Sequence, residues 1–302
     1  MAFEVTGLGD WVNENSQTLL SKSILDENTI SQITKMSGVK YKEAIKFLET
    51  APILQGYACG TPTTSGTTTI TDKDISVVNL MVYETLCPED LTKKSLQLSQ
   101  AAGMAEGFSF EQSYVDLQVK NAWKLLSTAE WSATAASATK PAGWVYLAEN
   151  DADVIDRTFS WTATGITASS YYTEIFGMVN ALPAEIQSDD KLTLFCPPEV
   201  SRKMKQALFV ANLYHYDTTK ENGNDSWIFP ATNVIVSPTN GLAGSNNVML
   251  TPAWNLIAAF DLESEFDTFK LWWSDDDQML KFLMKFRFGV EYYFGEYIVL
   301  SN

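Results

Sequence analysis

The sequence predicts an α+β fold, and three features support this prediction. Apolar residues occupy every even position from 280 to 294, the period-two pattern of one strand about two to three times the usual length. Residues 192–211 read as a buried strand, a Pro-Pro turn and an amphipathic helix. Residues 60–71 are rich in threonine and lie between stretches that favour strands, which indicates an extended two-stranded excursion.

The composition is that of a globular, strongly acidic protein. Of the 302 residues, 45% are hydrophobic and 12% aromatic, which is enough to fill a large core and to anchor contacts between subunits. The 21 lysines and arginines against 37 acids give a formal charge of −16. This charge argues against an outer face that binds nucleic acid. The same charge balance occurs in ordinary acidic soluble proteins.

Cysteine usage and the lack of long apolar segments bear on the compartment. The chain has an odd number of widely spaced cysteines, which is typical of reduced thiols in the cytoplasm. They are Cys59, Cys87 and Cys196. No window reaches the roughly 18 apolar residues that a membrane span needs. Residues 1–10 have neither the basic start nor the apolar core of a signal peptide, so we expect a soluble protein that is not exported.

The first 50 residues are predicted to hold an arm and two short helices. Asp26 is placed to cap a helix that ends near residues 37–38, and the residues before it read as an extended arm. Residues 40–49 predict a second short helix, which Pro52 brings to an end. These elements are too few to form a core of their own.

In the excursion, residues 53–55 and 75–82 are predicted to be the strands and residues 60–71 the flexible polar tip. A two-stranded ribbon alone is marginal in water, so a long one is expected to lie on another surface. A plain surface hairpin is the alternative interpretation.

Helices and short strands alternate through the middle of the chain. Pro88 opens a helical region that is interrupted near Gly103 and Gly107, and Ser109 with Gln112 forms a capping box for a helix that reaches about residue 127. Further elements are predicted from the same signals: loops at 133–143, a helix at 170–182 and strands at 233–238, 247–250 and 256–260.

The sequence offers little that resembles a catalytic or metal site. His215 is the only histidine, and no two cysteines have C-x-x-C spacing. The sequence therefore lacks the residue pattern of a Ser-His-Asp triad or of a zinc site. No phosphate-binding loop occurs. Two acidic clusters offer a carboxylate pair or oxygen ligands, but a solvated strand face and an Asp-rich turn explain them better. We therefore expect no catalytic residue, no cofactor and no metal. The clusters are Asp261, Glu263, Glu265 and Asp267, and Asp275, Asp276 and Asp277.

Three segments carry a resemblance to a known family. They are Leu-Phe-Cys-Pro-Pro-Glu-Val at 194–200, Asn-Val-Ile-Val-Ser-Pro at 233–238, and the ending at 284–300. In these segments and in the order of its elements, the chain resembles the major capsid protein of tailed bacteriophages, the Hong Kong 97 type fold. The likeness covers the last third of the chain by sequence and the first two thirds by layout.

The resemblance implies an α+β fold in five parts. These are an N-terminal arm with short helices (1–49), an extended two-stranded loop (50–87), a spine-helix region of the peripheral domain (88–128), an axial domain (129–258) and the β-ribbon of the peripheral domain (259–302). The family's archetype carries a scaffolding segment before the arm, whereas this chain starts almost directly at the arm, so a separate scaffolding protein is expected. The archetype's covalent cross-link between subunits is not carried over, because a single sequence does not identify its donor and acceptor residues.

The resemblance also implies a function. It is that of a structural protein, not an enzyme, whose copies self-assemble as hexamers and pentamers into the icosahedral capsid shell of a virion. The shell would enclose double-stranded DNA without sequence-specific binding and form in the host cytoplasm, away from membranes, with a portal and decoration proteins as further partners. The alternatives are an encapsulin-like nanocompartment around a cargo enzyme, and an acidic carbohydrate-active enzyme or sugar-binding module.

Two sets of residues are predicted to contact neighbouring subunits. The tip of the excursion would lie across a neighbour, and basic side chains at odd positions of the long strand would meet acidic groups of an adjacent copy. They are Thr63, Thr64, Ser65, Gly66 and Thr67 at the tip, and Lys281, Lys285 and Arg287 on the strand.

Overall fold

The computed structural model describes residues 29, 31–51, 53–54, 66–86, 110–188, 192–212, 226–261 and 269–302. The strands are β1 (Thr34–Ser37), β2 (Lys42–Ala51), β3 (Thr67–Ser76), β4 (Val78–Leu86), β5 (Ile155–Arg157), β6 (Leu192–Cys196), β7 (Trp227–Ile228), β8 (Ile235–Pro238), β9 (Val248–Pro252), β10 (Leu256–Phe260), β11 (Phe269–Ser274), β12 (Met279–Tyr292) and β13 (Val299–Ser301). The helices are α1 (Phe110–Glu130), α2 (Trp144–Glu149), α3 (Ala168–Ala181) and α4 (Pro198–Val210).

Several predictions fall outside the described residues. They concern the arm before residue 29, residues 60–65 of the tip predicted at 60–71, the helical region at 87–109, Cys59, Cys87, His215, and Glu263, Glu265 and Asp267 of the first acidic cluster.

The described strands form three sheets. The five-stranded sheet has the order β1-β10-β12-β11, and β4 also pairs with β12. The six-stranded sheet has the order β5-β13-β9-β6-β8-β7. The antiparallel pair β2 and β3 forms a two-stranded sheet. Parallel and antiparallel pairs occur in both larger sheets, as expected for the predicted α+β class.

The long C-terminal strand is confirmed as β12. Its even positions from Phe282 to Tyr292 are buried, none being more than 9% exposed, and they share an apolar cluster with Ala122 and Leu126 of α1. The strand pairs antiparallel with β4 over residues 280–288, with β11 over residues 279–284 and with β10 over residues 288–292. Its backbone groups therefore find partners along most of its length, which is what allows so long a strand to be stable.

The predicted strand, turn and helix at 192–211 are confirmed as β6 and α4. Pro197 is the N-cap of α4 and Pro198 its first helical residue, where the missing N–H costs nothing. The buried side chains of α4 pack with β6 and α3 in a second apolar cluster. The helix predicted at 170–182 is α3, and its N-cap Thr167 accepts a hydrogen bond from the backbone N–H of Ser170.

The helix predicted at 40–49 is wrong, because these residues form β2. Ile45 and Phe47 lie at alternate positions on one face of the strand, and β3 pairs with β2 in an unbroken register from Lys42–Ser76 to Ala51–Thr67. A short apolar run does not distinguish a helix from a strand, and pairing with a distant segment decides the outcome.

The helix predicted to end near residues 37–38 is also wrong in its described part. Thr34–Ser37 forms β1, which adds in parallel to the edge of β10. Gly38 has a φ of +85°, and its N–H donates to the carbonyl of Phe260. The available sheet edge thus captures the segment in extended form, which intrinsic propensity does not reveal.

The excursion is present, but its strands differ from those predicted. Its first strand is β2 rather than residues 53–55, and Leu54 is fully exposed. Residues 67–71, predicted as part of the flexible tip, belong to β3. The second predicted strand divides at Val77, since β3 ends at Ser76 and β4, from Val78, joins the five-stranded sheet. The short helix α2 was not predicted, and α1 continues to Glu130.

No helix in the described part of the chain is long and apolar enough to cross a membrane. Cys196 is a free thiol, and burial raises its pKa to about 12.

Candidate subunit-contact surfaces

The β2–β3 hairpin has two different faces. The inner face carries Ile45 and Ile75, which are 7% and 0% exposed and pack against Ile257 and Ala259 of β10. The outer face is exposed and pairs charged residues near the root with an apolar pair farther out. On this face Lys42, Ala44, Lys46, Leu48 and Thr50 lie opposite Ser76, Asp74, Asp72, Ile70 and Thr68.

Apolar and aromatic contacts hold the root of the hairpin on the body. Beyond Ile45, the ring of Phe47 lies 5.9 Å from that of Tyr293 and 5.1 Å from that of Phe294. A Cβ atom at Gly289 of β12 would lie 2.2 Å from the carbonyl oxygen of Ser76. Only glycine therefore permits this approach of the two backbones, and the hairpin root is seated directly on β12.

Lys73 adds a polar contact on the inner face. Its Nζ lies 3.2 Å from Oε1 of Glu291 and 3.6 Å from Oδ2 of Asp151, and 3.5 Å from the centre of the Tyr292 ring. The Tyr292 hydroxyl donates to Oδ2 of Asp151 at 2.6 Å. One ammonium group thus joins the hairpin to β12 and to the turn after α2.

The carboxylates of this cluster have opposite pKa shifts. Burial raises the pKa of Glu291, and the Lys73 charge only partly opposes this. Burial also acts to raise the pKa of Asp151, but hydrogen bonds from Tyr292 and the Asp153 N–H, together with Lys73, outweigh burial and lower that pKa. Burial is the main cause of the raised pKa of Tyr292.

The distal half of the hairpin is exposed. Thr67 to Asp72 are all exposed, and Leu48 and Ile70 are exposed by 67% and 73%. Gly66 and Thr67 of the predicted contact set lie at the start of this exposed strand, whereas Thr63, Thr64 and Ser65 are outside the described residues. A ribbon with two exposed apolar side chains has the form of an element that another surface covers.

The odd positions of β12 lie on the other face of the sheet, where Lys285 is exposed and Lys281 and Arg287 are partly buried. Lys281, Lys285 and Arg287 lie on one face of the sheet, opposite Thr85, Met81 and Asn79 of β4. Large side chains are exposed on the same sheet face. These are Met81 at 62%, Tyr83 at 47% and Trp272 at 38%.

Two of the three basic residues have acidic partners within the same chain. Lys281 forms an ion pair with Asp277, whose pKa is lowered chiefly by the hydrogen bond from Lys281. Arg287 donates to Asn79 Oδ1 and to Asp261 Oδ2, each at 2.8 Å. Lys285 is exposed. The contact with an adjacent subunit that was predicted for all three remains a prediction.

The two acidic clusters do not form a site in the described residues. The carboxylate of Asp261 is 2% exposed and bound to Arg287, while Asp275, Asp276 and Asp277 lie in an exposed turn between β11 and β12. Within the described ranges, no three side chains of the metal-binding types come together.

No protein-family model matches the sequence, and no curated protein sequence matches it either. Solved structures of similar fold do exist. The chain superposes on a chain of the satellite phage P4 procapsid that includes the size determination (Sid) protein, with a TM-score of 0.59 and 12% identity over 95% of this chain and 90% of that chain. This is the Hong Kong 97-type capsid fold. Similar matches place the same fold in other particles.

Two of them illustrate the range of particles whose chains have this fold. Microbacterium phage Oxtober96 matches with a TM-score of 0.58 and 11% identity over 91% of both chains. The capsid of an empty GTA particle matches with a TM-score of 0.57 and 11% identity, over 91% of this chain and 88% of that chain. The fold class predicted from the sequence is therefore confirmed.

The residues that seat the hairpin carry no sequence signal of that role. Neither Lys73 nor Glu291 belongs to a motif that predicts a contact between the hairpin and β12. The alternation of Ala44, Ile45, Lys46 and Phe47 was the available signal for β2, and it favours a strand once a partner is known.

Proposed function

We propose that this chain is a structural protein without catalytic activity, which self-assembles into the icosahedral capsid shell around the double-stranded DNA of a tailed phage. The observation that carries the proposal is the projecting β2–β3 hairpin, whose outer face exposes Leu48 and Ile70, on a Hong Kong 97-type fold. Phage and GTA particles among the structural matches support it.

The hairpin suits assembly for a physical reason. A two-stranded ribbon is marginal alone, but it becomes stable when it lies on a neighbour. If each copy covers the next with its hairpin, the contact is heterologous, and repetition about a rotation axis closes into a ring. Hexamers and pentamers are the rings from which we infer that the shell is built.

The strong negative charge suits an enclosure for DNA. With a formal charge of −16, the wall would not adhere to the packed duplex, and salt screens the remaining repulsion within about 10 Å. A separate scaffolding protein, a portal, decoration proteins and assembly in the host cytoplasm are further parts of the proposal.

The proposed contact residues are those predicted from the sequence. Tip residues 63–67 would lie across a neighbour, and Lys281, Lys285 and Arg287 would face acidic groups of an adjacent copy. The five-part division also stands as a proposal, except that the extended loop begins at Lys42 with β2.

Negative-stain microscopy of the purified chain, alone and with a co-expressed scaffold, tests the proposal. We expect shells, tubes or capsomers. A species that stays monomeric under every such condition would contradict it. Particles that hold a cargo enzyme and no DNA in the native host would favour the nanocompartment alternative.

A further inference from the structure

The described part of the hairpin contacts the body along the half that is nearer its root. Each strand has 10 residues, which corresponds to a length of about 33 Å. Inner-face contacts extend from Ile75 at the root to Phe47, and beyond this point Leu48, Thr50 and Thr67–Ile70 are exposed. A small rotation at the root therefore becomes a large displacement at the distal end.

The contacts at the root differ in how strictly they define the angle between the hairpin and the body. The packing of Ile45 and Ile75 on β10 is apolar and non-directional, so it tolerates small rotations. Lys73 instead meets acceptors from two separate segments, Glu291 on β12 and Asp151 after α2. Two acceptors on different elements define the direction of the hairpin, which a single acceptor does not.

Asp151 and Glu291 are held in place by hydrogen bonds that do not involve Lys73. Oδ1 of Asp151 accepts the N–H of Asp153 at 3.1 Å, and its Oδ2 accepts the Tyr292 hydroxyl. Glu291 is 7% exposed, and its Oε1 accepts the N–H of Tyr292 at 3.2 Å. The aromatic ring of Tyr292 supplies a third surface beneath the ammonium group.

We propose that Lys73 is the positioning residue that sets the inclination of the β2–β3 hairpin to the body, and that this inclination determines the curvature with which copies assemble. The second half rests on the proposed function, whereas the first concerns the isolated chain. The outer face provides a matched comparison, since Lys42 and Asp74 form an ion pair 2.6 Å long within the hairpin itself. That pair can stabilise the hairpin but cannot orient it.

The inclination can be measured as a distance between spin labels at Thr69→Cys on the hairpin and Lys120→Cys on α1, in a chain carrying Cys59→Ser and Cys87→Ser. Both label positions are exposed, and Cys196 is buried. We expect one narrow distribution for wild type and a broadened or displaced one for Lys73→Met, because Thr69 lies about 23 Å along the strand from Ser76 and a tilt of about 10° moves it by about 4 Å. Lys73→Arg should restore the wild-type distribution, and Lys42→Met should leave it unchanged.

The particles that the same variants form are then imaged by electron microscopy. We expect Lys73→Met to give particles of changed or mixed diameter, and Lys42→Met to give wild-type particles. A Lys73→Met distance distribution identical to wild type would overturn the inference. A changed distribution with unchanged particles would overturn its second half. Failure of the wild-type chain to assemble would instead contradict the proposed function, and the distance measurement would still decide the role of Lys73.

Discussion

Leu48 and Ile70 lie directly opposite each other across the β2–β3 hairpin, and each exposes more than two thirds of its surface. Near the root, the same face carries charged residues such as Lys42 and Asp74. Water contacts this apolar pair at a cost in free energy, and cover by another surface would remove that cost.

Replacing this pair tests whether assembly covers it. We expect Leu48→Thr with Ile70→Thr to leave the subunit folded, because threonine keeps the strand propensity. Burying one such side chain contributes about 1.5–3 kcal/mol, so the critical concentration for assembly should rise at least tenfold. Light scattering at increasing protein concentration measures this. Leu125→Thr is the control, since Leu125 on α1 is also 67% exposed. An unchanged critical concentration in the double variant would refute the assigned role.

Reversing the charge of Lys285 tests the second surface. Lys285 is exposed on the odd face of β12, beside residues that already have partners in the chain. We expect Lys285→Glu to weaken assembly most at low salt and added salt to restore it in part, since an attraction between subunits becomes a repulsion that salt screens. Lys120→Glu on α1 makes the same change of charge as a control. If assembly and salt sensitivity match wild type, Lys285 is merely solvated.

The contact between Arg287 and Asp261 predicts an effect on folding. The Asp261 carboxylate is 2% exposed, and Arg287→Met would leave it buried without this guanidinium. We expect the free energy of unfolding to fall by about 1–3 kcal/mol in urea denaturation. Lys281→Met, whose partner Asp277 is half-exposed, should have a smaller effect. Equal losses in the two variants would show that burial of Asp261 does not matter.

Glu291 predicts a pH dependence of stability. Because burial raises its pKa, the folded state binds more protons than the unfolded state just above the usual carboxyl range. Its contribution to the free energy of unfolding is therefore largest at low pH and decreases as pH rises through the raised pKa. Urea denaturation from pH 7 to 4 should show wild type gaining stability relative to Glu291→Gln.

Asp151 provides the matched control, with the opposite sign. Its pKa is lowered, so its stabilising contribution is present above the usual value of 3.8 and is lost as pH falls through the lowered pKa. Wild type should therefore keep a constant advantage over Asp151→Asn down to about pH 4 and lose it below. A constant difference between wild type and Glu291→Gln across the range would contradict the assignment.

Local patterns predicted the elements that carry their own signal. The period of two identified β12, and the Pro-Pro turn identified the junction between β6 and α4. Helix α3 and strands β8, β9 and β10 followed from the same reasoning. In each case the buried face could be recognised from consecutive residues, because burial repeats with the period of the backbone.

Segments that depend on a distant partner were predicted incorrectly. Residues 40–49 favour a helix about as well as a strand, and the pairing with β3 makes them β2. Residues 34–37 become β1 because β10, more than 200 positions later, offers an edge.

The sequence by itself determined the fold class, the long strand, the net negative charge and the existence of an extended two-stranded ribbon. The tertiary structure decided which residues form that ribbon and what holds it. Arg287 finds Asp261, and Lys73 finds Glu291, only once strands far apart in the chain are paired. The reason is physical: burial and charge pairing depend on distance in space, which no local pattern encodes.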